Sequence, residues 1–353
     1  MTTLTQRLNI ALPIIQGPMT GSDTPRLAAA VSAAGGLGFL GCGMRAPQAM
    51  REAADAVRAA TDKPFGMNLF VLQTPSPGAA EVAAALDRLA PMYAAFGLTP
   101  QAPARWCEDF AAQFEALIAA RPAVASFTFG ILSAAQVRRL KDEAGSYVIG
   151  TATTVAEALA WQAVGADAVV ASGLEAGGHR GTFLGDWEGS QVGTLALVPA
   201  CVDALNIPVI AAGAIMDGRG IAAAQALGAQ AVQMGTAFLA CPESSIVPAQ
   251  RAAMAAAQAT DTRLTRIFSG RPARGILNQA MRALQAHEAG IPAYPVQNAL
   301  MGPIRRAAAQ AGDAGHIALW AGQGVAAARA MAAGELVALL EQEWRGVREK
   351  ILN

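Results

Sequence analysis

Short apolar runs alternate along the chain with alanine-rich stretches whose apolar positions recur at helical spacing. The apolar runs predict strands over 13–19 (PIIQGPM), 37–42, 65–71, 124–130, 147–152, 168–173, 208–215 and 231–239. Helical patterns fill the gaps at 23–34, behind a Ser22/Asp23 cap, and at 46–60, 133–144, 155–164, 194–205 and 218–227. No strand shows clean alternation, as expected when both faces of a parallel sheet are covered. Eight βα units in about 240 residues predict an α/β fold, a (β/α)8 TIM barrel, over an open doubly wound sheet.

The rhythm breaks at 72–121, where Pro75, Pro77, Pro91, Pro100 and Pro103 interrupt two helical stretches. This segment reads as a helical insertion into a barrel of residues 1–242. Residues 243–324 read as an added, mainly helical substrate or cap domain. Residues 325–353 read as a C-terminal helix returning to the barrel, with 325–340 as the closing outer helix.

Composition narrows the function classes. Of 353 residues, 53% are apolar and 15% charged, so a large core is expected. The 26 basic and 26 acidic side chains cancel, and no Lys/Arg run stands out, which argues against nucleic acid as a partner. Cys42, Cys107, Cys201 and Cys241 lie far apart without a CxxC pair, so neither a metal site nor a disulfide framework is expected and a reducing compartment fits. The N-terminus has too short an apolar stretch for a signal peptide. The longest uncharged stretch, 220–242, carries three glutamines and does not read as a membrane span. The expectation is a soluble cytoplasmic protein with no membrane partner; homo-oligomerisation is compatible with this composition.

In such barrels the working residues sit on loops after the strands. The loop after the sixth strand, 172–183, packs four glycines around His179, Arg180 and Glu175. Its glycines allow close backbone approach to a ligand, and a histidine there works as acid, base or anion partner near neutral pH. His287 and His316 lack such surroundings. Strand seven ends in small residues around Gly213 and Ala214, and strand eight in Gln233, Met234, Gly235 and Thr236. Small residues at both places expose amides for a phosphate, which barrels commonly bind between these loops beside a helix N-terminus. Strand one ends in Gly17, Pro18 and Met19, and strand three carries Asn68, whose amide suits the polar edge of a flat heterocycle.

Two glycine patterns are set aside or demoted. Residues 36–41 (GLGFLG) match the dinucleotide fingerprint in letters, but follow a helix and run into a strand, the wrong context. Residues 322–327 (GQGVAA) open a helix too near the C-terminus for another βαβ unit, though that helix is placed to face the same anion. HExxH, Walker A, GxSxG and EF-hand patterns do not occur.

PIIQGPM, Asn68, EAGGHRG at 175–181, PVIAAGAI at 208–215, QMGT at 233–236, FSGRPAR at 268–274 and WAGQG at 320–324 together resemble the nitronate monooxygenase family, formerly 2-nitropropane dioxygenases. The resemblance implies a barrel with a helical substrate domain, non-covalent FMN, and oxidation of alkyl nitronates by O2 to a carbonyl compound and nitrite. It places His179 as the active-site histidine above the flavin. Gly177, Gly178 and Ser172 shape the adjoining loop; Gly213, Ala214, Gln233, Met234, Gly235 and Thr236 hold the phosphate end. Asn68 and Gly17–Met19 contact the ring. A nitronate is already an anion with an electron-rich carbon, so electron loss to a flavin needs no strong base. The alternative is an NAD(P)H-dependent FMN reductase acting on a quinone or an enoyl thioester. Departures from the family pattern fall at Ser172, Thr128, Asn298 and Gly302, on the expected substrate side.

Overall fold

Eight short strands pair in parallel in the order β1 (Ile14–Gln16), β9 (Ala231–Met234), β8 (Val209–Ala212), β6 (Ala168–Ser172), β5 (Tyr147–Ala152), β4 (Val124–Thr128), β3 (Phe65–Phe70) and β2 (Gly38–Gly41). A bridge between Ile15 and Leu37 brings the two ends together and closes the sheet on itself. The computed structural model describes residues 3–352. Ile15, Phe39, Ile149, Val170 and Ile210 fill the barrel interior, and Leu4 and Leu8 of α1 (Leu4–Leu8) join the same cluster. A larger apolar layer separates strands from outer helices, built from Leu27, Met67, Phe127, Trp161 and Val169 among others. Both faces of each strand are covered, which is why the runs did not alternate.

The outer ring contains α2 (Pro25–Ala33), α3 (Pro47–Ala60), α5 (Phe110–Ala120), α6 (Ala134–Arg139), α7 (Val155–Ala163), α8 (Thr194–Ala204) and α9 (Gly218–Ala226). The cap of α2 differs from expectation. Thr24, not Ser22 or Asp23, accepts from the Leu27 amide at 3.0 Å. Asp23 turns inward instead, accepting from the Met19 and Gly41 amides at 2.7 Å each and pairing with Arg45 at 3.1 Å. The fingerprint at 36–41 is packing: a Cβ on Gly38 would lie 1.9 Å from the Ala28 carbonyl oxygen, so the glycine lets helix and strand touch.

The segment 72–121 divides in two. Of its two helices, α5 packs on α3 with Phe114 and Leu117 in the barrel's outer layer, so it is an ordinary crossover helix. Only α4 (Ala79–Ala95) leaves the barrel, burying Ala85, Leu89 and Tyr93 in a second apolar cluster with Phe268, Met281, Leu300 and Ile304. Besides α4 and the loop residues Ile267, Phe268 and Ile291, that cluster draws on α12 (Gln279–Leu284), α13 (Val296–Leu300) and α14 (Gly302–Ala311), whereas α10 (Thr236–Leu239) and α11 (Pro248–Ala256) place Leu239 and Met254 in a separate cluster. The C-terminal region also contains strand, which the sequence did not signal. β10 (Thr262–Thr265) and β11 (Ala273–Ile276) form an antiparallel pair, and β7 (Gly178–His179) adds to β11 with Ala273 opposite His179. Strands of two to four residues are too short to show a period.

The closing helix starts later than expected. Residues 325–327 make one 3-10 turn, and α15 (Ala333–Leu352) lies against α9 and α2, burying Leu336, Val337 and Leu340. Among the described residues no helix is long and apolar enough to cross a membrane.

Candidate active site

The strand ends carrying the expected site residues open on one cavity at the C-terminal mouth of the barrel. Every one of these residues lines it: Gly17, Pro18 and Met19 after β1, Asn68 on β3, Ser172 at the end of β6, Gly177, Gly178 and His179 on the following loop, Gly213 and Ala214 after β8, and Gln233, Met234, Gly235 and Thr236 at β9. The walls differ in kind.

One wall is mostly backbone. No hydrogen bond among the described residues uses the amides of Gly213, Ala214, Gly235 or Thr236, so these donors are free for a ligand. A Cβ on Gly235 would have only Met19 near it, at 3.9 Å, so the space beside this glycine is empty. Gly213 (φ +127°) and Ala214 (φ +53°) adopt left-handed backbone, which turns the chain sharply after β8. The N-terminus of α9 does not contribute, since Asp217 caps it by accepting from the Arg219 and Gly220 amides at 3.0 and 3.1 Å, but Gly235 and Thr236 are the N-cap and first residue of the short α10 (Thr236–Leu239). The Thr236 hydroxyl accepts from the Gly322 amide at 2.9 Å and keeps its own proton free. Gly322 in turn interlocks with the histidine loop, where a Cβ on Gly177 would lie 2.4 Å from the Gly322 nitrogen. The 322–324 segment therefore reaches the cavity as a packed loop, not as the start of a helix.

Asn68, 2% exposed, donates from Nδ2 to Ser126 Oγ at 2.9 Å and Thr128 Oγ1 at 3.4 Å, which leaves Oδ1 as an acceptor at the cavity. Thr128 also bonds Thr151 at 3.2 Å, and both threonines line the same floor. Thr128, one of the departures from the family pattern, thus orders Asn68.

The opposite wall is aromatic. The His179 ring lies 5.3 Å from Trp320, 5.4 Å from Phe129, 5.6 Å from Tyr294 and 6.5 Å from Phe70, centroid to centroid. Its Nε2 meets Ser269 Oγ at 2.8 Å. That hydroxyl donates to the Arg271 carbonyl at 3.1 Å, so it accepts from His179, and the imidazole carries its proton on Nε2. Nδ1 is then an unprotonated nitrogen. Burial, with the nearby Arg271 and Arg305 charges, lowers the imidazole pKa to about 3. His179 is neutral at physiological pH. Pairing of β7 with β11 fixes its backbone, and Arg271 ties the loop down by donating to the Arg180 and Thr182 carbonyls while stacking on Phe129 at 4.1 Å.

Several groups in or behind the lining escaped the sequence reading. Ser269, the partner of His179, was seen only as part of a motif; Phe129 and Arg305 gave no signal. Of the two departures after Tyr294, Asn298 lines the cavity and Gly302 does not. His316 is buried at 7% exposure and pairs with Asp313 through Nδ1 at 2.7 Å, whereas His287 is exposed. No cluster of three metal-ligating side chains occurs among the described residues.

The family model for nitronate monooxygenase matches residues 1–343. A probable nitronate monooxygenase from Staphylococcus aureus (strain MSSA476) is 45% identical over 322 residues, covering 91% of this chain and 90% of that protein. Among solved structures, a nitroalkane oxidase from Streptomyces ansochromogenes superposes with a TM-score of 0.91 at 41% identity, covering 99% of this chain and 100% of that one. FabK from Thermotoga maritima superposes with a TM-score of 0.78 at 33% identity, covering 99% and 98%.

Proposed function

The chain belongs to the nitronate monooxygenase family of flavin-dependent oxidoreductases, and on that premise we propose that it oxidises alkyl nitronates with O2, using FMN, to a carbonyl compound and nitrite. The observation that carries this reading is the pairing, across one cavity, of four unused backbone amides with a neutral, aromatic-boxed imidazole.

The residues fit FMN. The amides of Gly213, Ala214, Gly235 and Thr236, with the free Thr236 proton, would hold the phosphate, and the empty space beside Gly235 admits it. Asn68 Oδ1 and the Gly17–Met19 segment would meet the ring's polar edge, with Gln233 and Met234 beside them. Gly177, Gly178 and Ser172 line the cavity beside His179 and would frame the flavin from that side. The cofactor, when bound, supplies the redox step between nitronate and oxygen.

His179 is the catalytic residue of this scheme. Nδ1 could take a proton from the Cα–H of a neutral nitroalkane only as the nitronate anion forming beside it stabilises the imidazolium, which offsets the low pKa of the ring. When nitronate itself is supplied no base is needed, and the neutral ring shapes the pocket without attracting the anion. Phe70, Phe129, Tyr294 and Trp320 exclude water around the reacting carbon. Residues 243–324, with α4 packed on them, form the cap, which supplies Tyr294 and Trp320 to this wall while the barrel supplies Phe70 and Phe129.

The test is an absorbance spectrum of the purified protein followed by anaerobic mixing. A bound flavin that bleaches on adding a nitronate and recovers with oxygen supports the reading. Bleaching by NADH but not by a nitronate favours the reductase acting on a quinone or an enoyl thioester.

A further inference from the structure

The cavity holds a single formal charge at neutral pH. Arg305 is the one Lys or Arg among its lining residues, and none of them is Asp or Glu. With His179 neutral, the attraction for an anionic substrate has to come from elsewhere, and Arg305 is the cation in place to supply it.

Its environment is unusual for a half-buried arginine. Nη2 donates to the Asn298 carbonyl at 2.9 Å and to Asn298 Oδ1 at 3.0 Å, which fixes the guanidinium. No carboxylate lies within 4 Å, and no hydrogen bond among the described residues uses Nε or Nη1. The contrast is with Arg45, which has Asp23, and with Arg271, which is outside the cavity lining and donates from Nε and Nη2 to loop carbonyls. Desolvation lowers the Arg305 pKa to about 10, so it stays charged at pH 7 while lacking a counter-ion. A guanidinium that lines a cavity with free donors and no counter-ion is an anion site. Asn298 is the residue that aligns it, and this is where the chain departs from the family pattern.

We propose that Arg305 is the anion-binding residue of the substrate pocket, its free N–H donors holding the nitronate oxygens and so selecting the anion over its neutral nitroalkane. The assignment rests on the nitronate reading of the site.

The experiment uses the full-length flavin-loaded protein and two variants, Arg305→Met and Arg305→Lys. Sodium nitrite, a small anion and the expected product, is titrated while the flavin spectrum is followed. Wild type gives a saturable perturbation; Arg305→Met weakens it about 10-fold or more, and Arg305→Lys by only about 3-fold, as expected for a lost charge-assisted pair against a retained charge. In steady state, KM for the nitronate rises about 10-fold or more in Arg305→Met, while KM for the neutral nitroalkane changes less than about 2-fold. Unchanged nitrite binding in Arg305→Met overturns the assignment, as does a wild type that gives no response to nitrite. Loss of flavin in Arg305→Met also overturns it, because the guanidinium would then serve the cofactor. Nitrite binding that depends on Arg305 in a protein whose flavin no nitronate reduces would overturn the functional reading and the nitronate as ligand, leaving Arg305 as the anion site of a different substrate.

Discussion

The two walls of the cavity solve opposite problems. The wall after β8 and β9 is made of Gly213, Ala214, Gly235 and Thr236, where the useful atoms are backbone amides and side chains are kept small to uncover them. The wall around His179 is made of side chains: four aromatic rings, a serine relay and a lone guanidinium. A backbone wall recognises what is constant, an anionic group at a fixed place. A side-chain wall recognises what varies, and it is here that Thr128 and Asn298 depart from the family pattern.

If the division is real, the two walls fail differently. The largest effect is expected from Gly235→Leu, which fills the empty space at the amide wall: flavin content should fall below about a tenth of wild type while the circular dichroism spectrum stays the same, by overpacking of a ligand site. Full flavin content in that variant would break the comparison. His179→Ala should keep its flavin and lose turnover by about 100-fold to 10,000-fold, the range for a removed acid–base group. Loss of flavin with unchanged activity per flavin would merge the walls instead.

Thr236→Val is milder and tests the link between them. It strips the acceptor from the Gly322 amide, which costs about 1–3 kcal/mol when the donor stays buried, so flavin retention under dialysis should weaken without a change in substrate KM.

The smallest effect concerns pH. The His179 imidazole has a folded pKa of about 3 against about 6.5 in the unfolded chain. The unfolded chain takes up this proton first, so the contribution to stability is complete above about pH 6.5 and is lost as the pH falls toward 3. The slope from this group is at most about 1.4 kcal/mol per pH unit. Melting curves of His179→Gln between pH 6.5 and 4 should be less pH-dependent than those of wild type; parallel slopes would show an imidazole that titrates normally.

Periodicity found the eight barrel strands because each is a local run with its own composition, and it overran their ends at 208–215 and 231–239, where the chain turns through Gly213 and Gly235. It misjudged α5, since a proline-rich stretch before a helix looks the same whether the helix joins the barrel or leaves it. It was blind to β7, β10 and β11, which are too short to carry a period.

The residue order alone settled the barrel, the small-residue loops at its mouth and the histidine loop, because strand runs, glycines and motifs are properties of neighbours along the chain. Folding decided the charge state of His179, the pairing with Ser269 ninety residues away, and the isolation of Arg305 from any carboxylate. Those are properties of neighbours in space: desolvation and the absence of a counter-ion depend on every group that surrounds a side chain, and no stretch of sequence contains them.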